Sequence, residues 1–176
     1  MKILITGIAG SGKTTIATEL NRLGYSATDL DTNGTCAWVN KKSGLETEYS
    51  EASGPQWIDE HRWQVIVPKL TALLSRFPTD RKLFVTGKIA RMQVKEMSTL
   101  FDIIFLLRPD DLIIDERLAQ RTSNHKNFAK TTQEREVILR NRHEFEKACL
   151  DSGALVISNN GSLQSVIGEI LGKIKG

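Results

Sequence analysis

A chain of 176 residues has room for one sizeable hydrophobic core and is expected to form a single domain. Hydrophobic residues make up 40% and charged residues 26%, a globular balance that excludes a disordered or coiled-coil chain. The 24 Lys+Arg against 21 Asp+Glu leave a net charge of +3, too mild for a dedicated nucleic-acid surface and sufficient for small anionic substrates.

Cys36 and Cys149 lack metal-ligand spacing and read as buried, reduced thiols. The apolar run Ile3-Leu4-Ile5 stops at Thr6-Gly7, short of a signal peptide. No stretch approaches the roughly 20 apolar residues of a membrane helix. A cytoplasmic protein without a membrane partner is expected.

The same apolar run reads as a first strand. It leads into Gly7-Ile8-Ala9-Gly10-Ser11-Gly12-Lys13-Thr14, a full match to the Walker A pattern G-x-x-x-x-G-K-[ST], and then into a helix bearing Ile16, Ala17, Leu20 and Leu23. A triphosphate is a dense anion that needs several inward-pointing backbone N–H groups, and glycines let the chain wrap it without side-chain collision. The helix N-terminus adds free donors and a favourable dipole. Gly7, Ala9, Gly10, Ser11, Gly12, Lys13, Thr14 and Thr15 are therefore the candidate ATP-binding residues. Lys13 is expected on the β- and γ-phosphates and the Thr14 hydroxyl on Mg²⁺.

Gly24 stops the helix, and Tyr25 to Leu30 reads as a second strand that ends in Asp29-Leu30-Asp31. Residues just past the carboxyl ends of parallel strands line the ligand crevice. Two carboxylates spaced by two point to the same side if the strand stays extended. One suits the Mg²⁺ shell and the other an acceptor group; an Asp-rich turn before Asn33-Gly34 is the structural alternative.

From Thr32 to Pro55 no periodicity is evident, and the segment reads as a long excursion whose Trp38, Lys41, Lys42 and Tyr49 offer apolar and cationic contacts to a ligand. Gln56 to Phe77 carries Trp57, Ile58, Trp63, Ile66, Val67, Leu70, Leu73 and Leu74 on a helix-like pattern, which Pro68 kinks or divides. The tryptophans read as core or lid packing. His61 and Arg62 are candidates to face a substrate, with a solvated helix face as the alternative.

Leu83-Phe84-Val85 is a short strand running into Thr86-Gly87-Lys88. Many P-loop proteins place an Asp at such a strand end to hold the Mg²⁺ shell, and here the position is Thr86. Gly87 allows close backbone approach to a ligand, with a plain strand-to-helix turn as the alternative, and Lys88 and Arg91 follow on a short helix with Met92, Val94 and Met97. Asp102 to Leu107 is a buried strand, after which Arg108-Pro109-Asp110-Asp111 opens a helix. Arg117 and Arg121, four apart, share a face of that helix. Thr122 to Thr132 breaks the periodicity, and a long helix from Thr132 to about Leu150 carries Arg135, Arg140 and Arg142. Arginines flanking a polar loop suit phosphoryl transfer, because guanidinium groups bind phosphoryl oxygens bidentately and a closing loop keeps water out. Ala154 to Ile157 is the last strand, Ser158-Asn159-Asn160-Gly161 a turn that suits either the nucleotide base or an ordinary strand-to-helix loop, and Leu163 to Ile174 the last helix.

Strands alternating with helices, Gly7 to Thr14 in the first crossover and a late Arg-flanked loop together resemble the nucleoside-monophosphate kinase and shikimate kinase group of P-loop kinases, adenylate kinase included. The resemblance spans the chain in organisation, and Gly7 to Thr14 is its one specific motif. It implies a three-layer α/β fold whose five-stranded parallel sheet has the order 2-3-1-4-5, with 1–176 as one kinase domain. A substrate-binding excursion and helix over about 32–77 and an Arg-bearing lid over about 121–132 are implied with it. Lys13 becomes the phosphate ligand and Thr14 the Mg²⁺ ligand. Asp29-Leu30-Asp31 resembles the D-x-D of kinases that phosphorylate a hydroxyl, the first Asp near the metal and the second on the acceptor. Val85-Thr86-Gly87 resembles the glycine-rich substrate turn of such kinases without its further glycines, and it departs from the Asp-Gly pair of adenylate-type enzymes. Arg117 to Arg121 resembles the first lid arginines, with one of Arg135, Arg140 or Arg142 returning from the other side.

The expected function is an ATP- and Mg²⁺-dependent kinase acting on a nucleotide, nucleoside or hydroxyl metabolite. Lys13, Asp31, Arg117 and Arg121 are its catalytic residues, and Thr14 and Asp29 its metal ligands. Asp31, Trp38, Arg62, Gly87 and Arg91 contact the acceptor, and Asn159 joins the phosphate loop in holding ATP. The alternatives are a nucleotide-dependent ATPase switch or assembly factor, a binding module without turnover, and a polynucleotide 5′-hydroxyl kinase.

Overall fold

The structure is a computed structural model that describes residues 1–49, 54–120 and 132–174. In chain order it runs β1 (Lys2–Thr6), α1 (Lys13–Arg22), β2 (Ser26–Asp29), β3 (Cys36–Asn40), β4 (Glu46–Thr47), α2 (Gly54–Glu60), β5 (His61–Val65) and α3 (Val67–Leu74). There follow β6 (Leu83–Thr86), a short 3-10 turn (Arg91–Gln93), α4 (Val94–Met97), β7 (Ile103–Leu107), α5 (Asp111–Ala119), α6 (Thr132–Arg140), α7 (Arg142–Asp151), β8 (Leu155–Ile157) and α8 (Leu163–Lys173).

Five parallel strands pair in the order β2-β6-β1-β7-β8, which is 2-3-1-4-5 when the strands of this sheet are counted alone. Alternate side chains leave opposite faces of a strand, so β1 divides the core in two. Ile3 and Ile5 pack with Phe84 and Phe105 under Ile16 and Leu20 of α1 and Val166, Ile167 and Ile170 of α8. Leu4 packs with Val85, Ile104 and Leu106 under Leu70, Met97, Ile114, Leu118 and Phe145. Helices on both faces of a buried parallel sheet make the three-layer architecture. Register then sets the site: Ile5 is level with Thr86, and Thr86 with Asp29, so three strand ends stand side by side.

Two expectations about the elements are corrected. The described residues of 32–77 are not an aperiodic excursion followed by a helix. β3, β4 and β5 form a second, antiparallel sheet in the order β4-β3-β5, and the expected helix is divided by β5. The cause is non-local: Trp38 stands opposite Trp63 across β3 and β5, with ring centroids 5.7 Å apart. Such cross-strand aromatic pairs outweigh local helical spacing. Pro68 does not kink a helix but lies in the first turn of α3, where its missing N–H costs nothing. The long helix from Thr132 is likewise two helices, separated at Asn141. Asn141 N–H still reaches Val137 O at 3.2 Å and Phe145 N–H reaches Asn141 O at 3.3 Å, so the break is a bend with lengthened ladder bonds.

Cys36 and Cys149 are free and buried, and burial pushes the Cys149 thiol up to about 12. Among the described residues no helix is long and apolar enough to cross a membrane.

Candidate nucleotide and acceptor site

The loop between β1 and α1 is shaped by its glycines. Gly12 takes φ 93° just before α1, and a Cβ there would lie 2.5 Å from Asn159 Nδ2. Lys13 Nζ folds across the loop and donates to Gly7 O at 3.0 Å and Ile8 O at 2.9 Å. Ala9 and Gly10 lie in the loop itself, while Thr14 and Thr15 are exposed on the first turn of α1, where the backbone N–H groups suit an anion. Asn159 is buried, and its Nδ2 donates to Ser11 O at 2.6 Å. That amide shapes the phosphate loop from the β8–α8 turn.

Asp29 lies at the centre of an oxygen cluster. Its Oδ2 accepts from Thr14 Oγ1 at 3.0 Å and from Thr86 Oγ1 at 3.1 Å, and its Oδ1 accepts from Asp31 N–H at 2.9 Å. Thr86 occupies the strand end where many P-loop proteins carry a carboxylate, and here the carboxylate comes from the neighbouring strand in register with it. A hydroxyl and a carboxylate beside a phosphate loop fit Mg²⁺, which takes hard oxygens and rarely more than two protein carboxylates.

Asp31 does not share that direction. The chain turns after Asp29, with Thr32 N–H on Asp29 O at 3.3 Å, so the extended geometry that would align the two carboxylates ends at β2. Asp31 is exposed, and its Oδ1 accepts from Trp63 Nε1 at 3.0 Å.

A cleft of about 440 Å³ begins at Ile8 of the phosphate loop. Trp38, Arg62 and Trp63 of the antiparallel sheet form one wall, the chain from Lys88 to Met92 another, and Ile138 and Phe145 a third. Of the expected acceptor contacts, Trp38, Arg62 and Arg91 line this cleft, Arg91 while ion-paired to Glu144. Asp31 and Gly87 are not among the lining residues, although Asp31 touches the wall through Trp63 Nε1. A Cβ at Gly87 would come within 2.8 Å of the Leu30 side chain, so this glycine serves close packing of the β6 end against Leu30. Trp63 and Lys88 line the cleft as well. Trp63, expected as core or lid packing, forms part of its wall, and Lys88, expected to follow the Gly87 turn beside Arg91, lies on the facing segment.

Arg117 points at the phosphate loop. Its Nη2 donates to Asn159 O at 3.0 Å, while Nη1 is buried without a hydrogen-bond partner among the described residues, 3.7 Å from the Cβ position of Gly12. Burial lowers its pKa from the ordinary arginine value. An orphaned guanidinium N–H is costly, and an anion or a polar base edge above Gly12 would satisfy it. Arg121 and nearly all of the expected lid lie outside the described residues. Arg135 pairs with Asp115 at 3.2 Å, and Arg140 is exposed on α6. Arg142 bonds Asp111, Glu146 at 2.6 Å and Pro109 O at 2.7 Å, tying α7 to the start of α5.

No curated protein matches the chain. Among solved structures, TT1252 from Thermus thermophilus superposes with a TM-score of 0.61 at 20% identity, covering 100% of this chain and 98% of that one. A shikimate kinase from Acinetobacter baumannii, solved with shikimate, gives 0.62 at 17% identity over 99% of this chain and 95% of its own. The deoxyadenosine kinase of M. mycoides, with bound dATP, gives 0.58 at 16% identity and covers 100% of both chains. The fold is therefore that of P-loop kinases. A family match over residues 3–139 extends well past half of the sequence, and the chain belongs to the AAA domain family.

Proposed function

We propose that the protein is an ATP- and Mg²⁺-dependent kinase that transfers the γ-phosphoryl group to a hydroxyl of a small-molecule acceptor. One observation supports this reading: Ile8 of the phosphate loop lines the cleft, so a γ-phosphate bound by that loop would face it. A kinase requires a second compartment there, whereas an ATPase switch does not. Thr14 and Asp29 would hold Mg²⁺, which when bound neutralises phosphate charge. Lys13 and Arg117 supply donors to the phosphates, and Asp31 at the rim receives the acceptor hydroxyl. The acceptor oxygen bonds to the γ-phosphorus as the bond to the ADP oxygen breaks, and the hydroxyl proton passes to Asp31. Catalysis on this scheme is chiefly positioning and charge stabilisation.

The test is transfer of labelled γ-phosphate from ATP with Mg²⁺ to a panel of nucleotides, nucleosides, hydroxyl metabolites and 5′-hydroxyl oligonucleotides. A labelled small acceptor is the expected result. Free phosphate alone, at a rate no acceptor changes, would favour the ATPase switch, and a labelled oligonucleotide the end-kinase. Within the same assay Asp31→Asn is expected to lower kcat/KM by roughly tenfold to a hundredfold with ATP affinity unchanged. Near-normal transfer by that variant would remove Asp31 from the scheme. Trp63→Phe removes the indole N–H that orients Asp31 and part of the ring that lines the cleft, so a loss of about two- to tenfold is expected. An equal loss when Trp63→Phe is placed on Asp31→Asn would show that the indole acts elsewhere.

A further inference from the structure

We propose that the side-chain amide of Gln93 is the tie that fixes the antiparallel sheet against the parallel core, which makes Gln93 a positioning residue for phosphoryl transfer. The inference rests on the kinase reading and adds a residue that stands behind the cleft, since Gln93 is not among those lining it. Its Oε1 accepts from Val65 N–H at 2.9 Å, and its Nε2 donates to Val65 O at 2.7 Å. Val65 ends β5, and among the described strands β5 is an edge of its sheet, paired with β3 on the other side. One side chain thus takes both backbone groups of a residue at that edge, as the next strand of a sheet would. A carboxamide can do this because it carries a donor and an acceptor side by side.

Both ends of the tie are held. Val65 is 1% exposed, and the N–H of the next residue, Ile66, donates to Thr35 O at 2.8 Å. Gln93 is 8% exposed and closes the 3-10 turn with its own N–H on Ala90 O at 2.8 Å, and Val94 and Met97 after it are buried in the core. The tie joins the two walls of the cleft. Two residues before Val65, on the same strand face, is Trp63, whose indole N–H holds Asp31. Immediately before Gln93 are Arg91 and Met92 of the facing wall. The ion pair of Lys69 with Glu46, between α3 and β4, is by contrast exposed and contributes little to placement. Without the amide, two buried backbone groups would lose their partners, so β5 would move or admit water to recover them. Such a movement carries Trp63 and Asp31 with it, and a misplacement of about 1 Å is enough to slow a transfer that depends on alignment.

The test compares Gln93→Met, which keeps the length but has neither an N–H donor nor an oxygen acceptor, with Gln93→Asn, which keeps the amide one methylene short. In the ligand-free protein, amide hydrogen exchange of Cys36–Asn40 and His61–Val65 is expected to quicken by roughly tenfold to a hundredfold in Gln93→Met and by less in Gln93→Asn. The amides of β1 and β7 should keep their rates, and ATP affinity should be unchanged, which is the folding control. For the acceptor that takes the label from ATP, kcat/KM should fall by roughly tenfold to a hundredfold in Gln93→Met. Placed on Asp31→Asn, the same change should add less than about threefold, because the group it positions is already gone. Exchange that quickens equally in the parallel strands would overturn the proposal. So would normal transfer by a loosened variant well below its melting temperature, or an undiminished loss on Asp31→Asn, either of which would leave Gln93 a residue of stability alone. Quickened exchange confined to the antiparallel sheet, with no acceptor labelled by the wild type, would uphold the tie and sink the kinase reading.

Discussion

Lys13→Ala is expected to lower phosphoryl transfer by roughly a thousandfold, because it deletes a preorganised cation aimed at the charge that develops on the transferring group. Lys13 is buried and its Nζ is held by Gly7 O and Ile8 O, so the ammonium is positioned by the loop's own carbonyls rather than by a flexible surface contact. Removing it leaves those two carbonyls without their lysine donor, and ATP affinity should fall together with turnover. Single-turnover transfer and equilibrium binding of ATP, measured on the same preparation, check both effects. If neither changes, the loop is not a nucleotide site, and the kinase and ATPase readings fail together.

The second large effect is expected at Asp29, and two variants separate its roles. Asp29→Asn keeps a side-chain oxygen for the Thr14 and Thr86 hydroxyls while removing the charge, and only the Asp31 N–H loses its acceptor to the new amide nitrogen, so the melting temperature should fall less than in Asp29→Ala. Transfer should fall by at least about a hundredfold and need more Mg²⁺ to saturate. Asp29→Ala removes the acceptor of both hydroxyls as well, leaving that of fully buried Thr86 only its long 3.5 Å contact with Thr28 O, at a cost of about 2 kcal/mol. In a domain of this size that is a drop of about 4–8 °C in Tm. An unchanged Mg²⁺ requirement in Asp29→Asn would mean that the carboxylate only braces the strand ends.

How much of this was legible in the sequence depends on the range over which each feature is determined. The phosphate loop is local, since Gly7 to Thr14 and the helix after it carry their own geometry, and strands such as Ile103–Leu107 announce themselves as unbroken apolar runs. The sheet order followed from the resemblance that these local features carried. The antiparallel sheet was not legible: β3 and β5 are short, and what makes them strands is each other, through Trp38 and Trp63 from distant parts of the chain. At the site, the nearness of Asp29 to Thr14 was anticipated because both end elements that parallel topology brings together. The divergence of Asp31 was not, because it depends on a turn after Asp29 that composition does not specify. Likewise, Arg142 could not be told from a phosphate-binding arginine until Asp111, Glu146 and Pro109 O were seen around it.

The Asn159 amide that grips Ser11 O spans 148 residues of sequence, and Arg117 braces the same turn. The phosphate loop is thus shaped locally but braced from far along the chain. A chain that has made β1 and α1 still lacks the turn after β8. Chains cut before that turn should therefore be poor at capturing nucleotide, and nucleotide capture becomes a report that the fold has closed as far as Asn159.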